Sequence, residues 1–393
     1  MNRARLGLLT GTHAVNDLYQ GLVPALLPFM VLERGYSYTA ISGLMLAATG
    51  LSSVVQPLFG LYADRASRPW MIPMGFMVAA LGLVLAGMSA EYWVSWLAAA
   101  LCGLGIAAYH PPATVAARHA GGASQKAMSV FSVGGTVGAS FAPLLAALVV
   151  ADGALERSWI LALPALLMLF IWQYGTRRDA RTPPVAARAR HGHAPQRPLN
   201  HWPAFFLLCA VIVGWSIPYV TVLSTLPLYV TRELGGSAFM GAATLTTFTA
   251  AGALGTLLGG WMGDRKGRMR PIRYGYLLAL PALACLALSS TPLAAWASTF
   301  ALGLFMFLPF AAQVTLAQDY LPRNQATASG ITLGLAMSIG GMVAPLFGLL
   351  SDARGLRYTL SAVLAVLCLA ALMAWCMRNR QDLSAPAPAA ARA

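Results

Sequence analysis

The sequence predicts an all-α integral membrane protein of twelve transmembrane helices in two pseudo-symmetric six-helix bundles, and three observations predict it. Of 393 residues, 58% are hydrophobic and only 10% charged, with a mean hydropathy of +0.66, whereas a soluble domain is about 25% charged. Twelve apolar stretches are long enough to cross a bilayer, which takes about 20 mostly apolar residues. The second six stretches repeat features of the first at an offset of 200 residues. Together these exclude a soluble enzyme.

The predicted spans lie at 6–32, 40–62, 71–89, 93–117, 126–150 and 157–174, and then at 203–231, 238–261, 271–290, 293–318, 326–350 and 357–377. The first follows Met1 to Arg5 directly and runs past Met30; it is too long for a signal-peptide core and lacks a small-residue cleavage site, so it is expected to be retained. Residues 1–174 form the first bundle and 203–393 the second, ending in a short disordered tail. Between them, 175–202 carries Arg177, Arg178, Arg181, Arg188, Arg190 and Arg197 with Pro183, Pro184, Pro195 and Pro198, a composition unable to bury a core. The five cysteines all fall inside apolar stretches without Cys-x-x-Cys spacing, which argues against disulfides and zinc.

A net charge of +14 would suggest nucleic acid in a soluble chain. Here position decides. Lys and Arg near span ends stay on the cytoplasmic side, and with both termini inside, 21 of the 26 Lys and Arg are cytoplasmic, the exceptions being Arg34, Arg157, Arg232, Arg354 and Arg357. The charge is a topology signal, with anionic lipid headgroups rather than nucleic acid as its partner.

In the repeat, Glu33, Gly35 and Ser37 fall on Glu233, Gly235 and Ser237, and Gly60, Asp64, Arg65, Arg68 and Gly75 on Gly260, Asp264, Arg265, Arg268 and Gly275. Ala142-Pro143-Leu144 matches Ala344-Pro345-Leu346 with a shift of two more. Such repeats place a substrate site near the midplane between the halves and let one bundle rock against the other.

Gly60-Leu-Tyr-Ala-Asp64-Arg65-Ala-Ser-Arg68 and its copy Gly260-Trp-Met-Gly-Asp264-Arg265-Lys-Gly-Arg268 resemble the helix 2–3 loop signature of the major facilitator superfamily. Within it, Thr12-His13-Ala-Val-Asn16-Asp17 and Gly103-Leu-Gly105-Ile-Ala-Ala-Tyr109-His110-Pro111 resemble the fosmidomycin-resistance subgroup of drug efflux carriers. The resemblance implies the major facilitator fold and secondary active transport by alternating access. Many drug–proton antiporters of that superfamily carry an arginine in helix 4 where this chain has Ala99, so proton coupling is expected to use other groups.

The duplicated loops read as a conformational switch made of Gly60, Asp64, Arg65 and Arg68 with Gly260, Asp264, Arg265 and Arg268. Asp64 and Asp264 sit where a carboxylate can face a helix N-terminus, near Ala326 and Gln125 respectively, and helix N-termini attract anions. The arginines can pair with those aspartates or bind lipid phosphate.

Of the 12 acidic residues only Asp17 falls within a predicted span. A charge there costs about 2.5–3.5 kcal/mol on insertion scales and marks function by default. His13, Asn16, Asp17 and Gln20 lie along one helical face, while Tyr109 and His110 form a second polar cluster just before Pro111-Pro112. Asp17, His13 and His110 are the expected proton-coupling groups, with Asn16, Gln20 and Tyr109 beside them for substrate. At the offset of 200, His13 and Asp17 fall on Val213 and Ile217, so the halves are specialised. In the second half Trp215, Tyr219, Phe305, Phe307, Phe310 and Gln313 offer aromatic and amide contacts suited to a partly apolar ligand, of which Trp215, Tyr219, Phe310 and Gln313 are the substrate-binding expectation. Pro218, Pro227 and Pro309 are expected to kink their helices.

His191-Gly-His193 with His201 lacks the carboxylate or cysteine partners of a metal site, and no phosphate loop, nucleophile elbow or His-Glu-x-x-His occurs. No metal, cofactor or catalytic residue is expected. The function expected is proton-coupled export of a small antimicrobial or amphiphilic compound, a fosmidomycin-like phosphonate by resemblance, from a bacterial inner membrane, by a monomer. An uptake symporter for an organic anion is the alternative, and a membrane receptor or embedded enzyme a distant one.

Overall fold

The structure is a computed structural model that describes residues 1–66, 68–122, 124–150, 155–181 and 199–384. Twelve long helices follow one another: α1 (Arg3–Arg34), α2 (Ala40–Arg65), α3 (Met71–Met88), α4 (Tyr92–Gly121), α5 (Gln125–Val150), α6 (Leu155–Arg177), α7 (Trp202–Glu233), α8 (Ala238–Lys266), α9 (Met269–Ala287), α10 (Pro292–Tyr320), α11 (Gln325–Arg354) and α12 (Leu356–Cys376). A short α13 (Arg380–Ser384) follows. Eleven of the described helices are long and apolar enough to cross a membrane; α9 is the twelfth, with Arg270 and Arg273 near its start. Most of the basic linker and the C-terminal tail lie outside the described residues.

By its contacts the chain divides into two compact units, Met1–Leu199 with Arg323–Gly334, and Asn200–Pro322 with Leu335–Ala393. Outward-facing side chains of both are apolar: Phe170 is 69% exposed, Leu148 72% and Leu372 68%. Rims of this size are unusual in soluble monomers and suit a hydrocarbon solvent.

In the first unit α1 packs along α5 and α3 along α4. Glycines permit the close approach: a methyl on Gly134 would lie 2.7 Å from the Thr10 carbonyl oxygen, and one on Gly138 would strike that of Ala14. In the second unit α9 packs along α10 and α7 meets α11, where Ser216 donates to the Ala336 carbonyl and accepts from the Gly340 amide. Any methyl on Gly340 would strike the Ser216 carbonyl.

That contact resets the register of the repeat. Gly340 packs on Ser216 as Gly138 packs on Ala14, an offset of 202, the same shift of two as the Ala-Pro-Leu strings. At the α3–α4 contact the offset stays at 200, since Gly75 lies against Gly105 and Tyr109 as Gly275 lies against Phe305 and Pro309. The structural counterparts of His13 and Asp17 are therefore Trp215 and Tyr219, not the Val213 and Ile217 that a constant offset implies, and that of His110 is Phe310.

The Glu-x-Gly-x-Ser repeat has a mechanical basis. Gly35 and Gly235 end their helices in the left-handed region, at φ 65° and 68°, which favours glycine. Ser37 and Ser237 cap the next helices by accepting from the amides of Ala40 and Met240 at 3.1 and 3.2 Å, as N-cap serines do. Glu33 accepts from the Leu155 amide at the start of α6 at 3.0 Å, and Glu233 from the Leu356 and Arg357 amides at the start of α12. A guanidinium completes each tie by donating to carbonyls at or just past the end of the third helix of its half: Arg34 to Ala86 and Gly87, Arg357 to Ser289. One end of each unit is thus clamped through three helices. Glu233→Gln should cost about 1 kcal/mol, a charge-assisted bond discounted for exposure, and lower the melting temperature in detergent; unchanged melting would refute the clamp.

Proline acts unequally. Helix α10 breaks after Phe307 and resumes at Phe310, as expected at Pro309, while α7 passes Pro218 unbroken and gives way to a π-turn at Tyr229–Glu233, just after Pro227. Helix α4 stays helical through Pro111 and Pro112, although two N–H donors are missing from its backbone bonding there.

Candidate functional site

Helical spacing brings His13 and Asp17 together on α1, with His13 Nε2 3.2 Å from Asp17 Oδ2. Packing of α4 against α1 adds the third member, His110 Nε2 lying 3.1 Å from Asp17 Oδ1. The far nitrogen of each ring is anchored on a carbonyl: His13 Nδ1 on Phe131 of α5 at 2.8 Å, and His110 Nδ1 on Ile106 one turn back along α4 at 3.0 Å. Asn16 Nδ2 donates to Asp17 Oδ1 at 3.1 Å. The facing nitrogen and carboxylate atoms of the three side chains lie within 4.8 Å of one another. Sequence spacing offers no sign of that convergence, since His110 is 93 residues from Asp17.

The surroundings hold the cluster still. The His13 ring stacks on Phe131 with centroids 4.3 Å apart and planes at 17°. Gly135 leaves room for it, as a methyl there would come 2.8 Å from the His13 ring and strike Asp17. Tyr109 bonds to the Thr12 hydroxyl at 2.9 Å. Phe131, Gly135 and Thr12 are the members that sequence reading missed, because a backbone carbonyl, a missing side chain and a hydroxyl carry no pattern of their own.

Asn16 and Tyr109 are fully buried, with the Asn16 Nδ2 on Asp17 and the Tyr109 hydroxyl on Thr12. Asn16 Oδ1 is among the buried acceptors that have no hydrogen-bond partner. Asp17 and Gln20 are only partly buried, the carboxylate side chain keeping 18% of its surface.

In the second unit the counterpart positions hold rings. Trp215 and Tyr219 stack at 4.7 Å and 14°, Phe307 meets both edge-on at 5.5 Å, and Phe310 lies 6.2 Å from Trp215. Phe248, not singled out from sequence, stacks on Tyr219 at 6.2 Å; Phe305 makes no ring contact with this group. The polar handles are spent internally: Trp215 Nε1 donates to the Met306 carbonyl at 2.7 Å, and Gln313 Nε2 to Tyr276 at 2.7 Å. Tyr219 and Phe310 keep partial exposure.

The loop residues diverge between halves. Asp64 accepts from the Ala326 amide at 2.8 Å, the Thr327 amide at 2.9 Å and the Thr327 hydroxyl at 2.5 Å, all within the first unit. Gly60 lets the strand of contacts close, since a methyl there would come 2.7 Å from the Ala326 oxygen. Arg68 and its repeat copy Arg268 take different partners in the two halves. Arg68 lies over the Tyr62 ring at 3.7 Å and donates to its hydroxyl at 2.7 Å, whereas Arg268 pairs with Asp319 and donates to the Thr315 carbonyl. The reason is in the repeat: the residue matching Asp319 is His119, and that matching Tyr62 is Met262. Arg65 is exposed, as are Asp264 and Arg265, which lies over Trp261 at 4.7 Å, and Gly260 is buried.

A family model described as the Major Facilitator Superfamily matches residues 9–345. The Fosmidomycin resistance protein of Escherichia coli (strain K12) is 29% identical over 374 residues, spanning 92% of this chain and 90% of that protein. A Multidrug resistance protein MdtG, from Yersinia enterocolitica, is 26% identical over 384 residues, spanning 93% and 90%. Among solved structures, the FucP transporter in the outward conformation superposes with a TM-score of 0.71 at 17% identity, over 94% of this chain and 98% of that one.

Proposed function

The chain belongs to the Major Facilitator Superfamily and is a multi-pass membrane transporter, not an enzyme; from that premise we propose that it exports a small antimicrobial or amphiphilic compound in exchange for protons, by alternating access. The observation that carries the reading is the His13–Asp17–His110 cluster, which gathers the one acidic residue of the predicted spans with two imidazoles while leaving it partly exposed. Intramembrane ionisable groups mark proton paths, and imidazole is the side chain whose unperturbed titration falls nearest neutrality. Antiport requires protons and substrate to displace one another: the cluster loads protons from the low-pH side and gives them up inside as substrate arrives. The name of the Escherichia coli relative supports choosing fosmidomycin as the first compound to test.

Gln20, Tyr219 and Phe310 retain exposed surface and are proposed to touch substrate. Asn16 and Tyr109 are proposed to hold the proton site, Trp215 and Gln313 the aromatic surface, since all four are buried and each already has a polar group engaged, Asn16 through its Nδ2. Asp64 and Gly60, with Arg65 and Arg68, are proposed to form a switch with Gly260, Asp264, Arg265 and Arg268, the Asp64 bonds existing in only one state of the cycle.

The test is uptake into proteoliposomes under an imposed pH gradient, using fosmidomycin and then a panel of antimicrobials. Accumulation dissipated by a protonophore supports antiport; flux indifferent to pH refutes proton coupling. An uptake symporter for an organic anion would use the same cluster and is separated by the sign of the gradient that drives flux. Ligand binding without flux would point to a receptor.

We further propose a monomer in a bacterial inner membrane, with both termini and 175–202 cytoplasmic and the basic linker against anionic lipid. Single cysteines at Arg190 and Ser237, in a cysteine-free background, should label from opposite sides. Labelling of both from outside overturns this orientation.

A further inference from the structure

Building on the proton-coupling reading, we propose that the His13–Asp17–His110 cluster carries two exchangeable protons, released in order from the His110 side and then the His13 side, so that each cycle moves two protons. The geometry forces the count. A backbone carbonyl only accepts, so the contacts of His13 Nδ1 with Phe131 and of His110 Nδ1 with Ile106 require a proton on each Nδ1. Neutral imidazole has one N–H, which leaves Nε2 as a bare lone pair. Yet both Nε2 atoms face oxygens of one carboxylate, at 3.2 and 3.1 Å, and a lone pair against a carboxylate oxygen is repulsive. Each of the two contacts is a hydrogen bond only with a bridging proton in it. The cluster so loaded has a net charge of +1. Losing one bridging proton makes it neutral, and losing both makes it −1, a sign reversal within one cluster.

The order follows from what each oxygen keeps. Asp17 Oδ1, facing His110, also accepts from Asn16, so it retains a donor when the His110 proton leaves. Oδ2, facing His13, has that imidazole as its partner. The rings differ likewise: His110 is tied to a carbonyl of its own helix and can move with α4, whereas His13 is tied to α5, stacked on Phe131 and closed in by Gly135. Tyr109 is the further titratable side chain beside the cluster, on α4 and bonded to Thr12; α5 offers a carbonyl and a glycine. Asn16 thereby becomes a positioning residue that sets which proton leaves first.

The experiment is nitrogen NMR of the full chain in nanodiscs, labelled at histidine nitrogens, titrated with pH and assigned with His13→Gln and His110→Gln. Expected are Nδ1–H on both residues at every pH and two separate losses at Nε2, His110 before His13. A neutral His13 or His110 protonated at Nε2, or a single-step loss, overturns the proposal. Asn16→Leu should bring the two losses together; losses still as separate as in the wild type would refute the order. Fosmidomycin flux at zero membrane potential reads the count independently: two protons allow about hundredfold accumulation per pH unit and one about tenfold. Two NMR steps without pH-driven flux would sink the transport reading and leave the count standing; one step with intact flux would sink the count alone.

Discussion

Asp17→Asn is expected to abolish pH-driven accumulation, by at least tenfold at one unit of gradient, while substrate-for-substrate exchange stays measurable. The amide keeps the shape of the carboxylate and can still accept from Asn16 or His110 and donate to a neutral imidazole, so the α1–α4–α5 packing around it should survive. It cannot hold the countercharge that makes two protonated imidazoles tolerable side by side, with their Nε2 atoms on the two oxygens of one carboxylate. Load and release of protons therefore stop at the chemical step and not at folding. The measurement compares pH-driven transport with exchange in the same liposomes at matched incorporation. Full pH-driven transport by the variant would remove Asp17 from the coupling mechanism and leave His110 as the next group to test.

The second large effect is expected at Asp64. Its two oxygens accept three bonds from the first turn of α11, where unsatisfied amides and the helix dipole favour an anion. In Asp64→Asn one oxygen can still accept from Ala326, but the amide nitrogen meets the Thr327 N–H donor to donor. A loss of about 1–2 kcal/mol, roughly a 5–30-fold change in an equilibrium, should fall on the state that contains the contact. Flux should drop severalfold with little change in melting temperature, and single cysteines should become more reactive from one side of the membrane. Gly60→Val attacks the same contact by volume, because its side chain would enter the Ala326 carbonyl. Wild-type flux and accessibility in Asp64→Asn would end the switch reading.

Composition and periodicity made much of this fold legible, because helices in a bilayer satisfy their own backbone and so announce themselves as long apolar stretches. The repeat was legible too, and its conserved spacing has a local cause: Glu33, Gly35 and Ser37, like Glu233, Gly235 and Ser237, are a carboxylate tie, a left-handed turn and an N-cap within five residues. Asp17 and His13 could be paired from sequence because i and i+4 share a helical face.

What sequence alone determined, then, was what is written within one helix or one turn: the spans, the duplicated tie, the lone intramembrane carboxylate and its i+4 histidine. Tertiary structure decided everything that depends on which faces meet. It brought His110 onto the second oxygen of Asp17, gave both rings a carbonyl to bind and so set their proton count, and sent Arg268 to Asp319 while Arg68 turned to Tyr62. It also shifted the register of α7 by two residues, setting Trp215, Tyr219 and Phe310 where the first unit has His13, Asp17 and His110. The physical reason is that helical periodicity specifies the direction of a side chain around its own axis, whereas the height at which two helices touch is set by glycine-scale steric fit between them, as at Gly138 on Ala14 and Gly340 on Ser216, and a slide of two residues leaves each helix's own pattern unchanged.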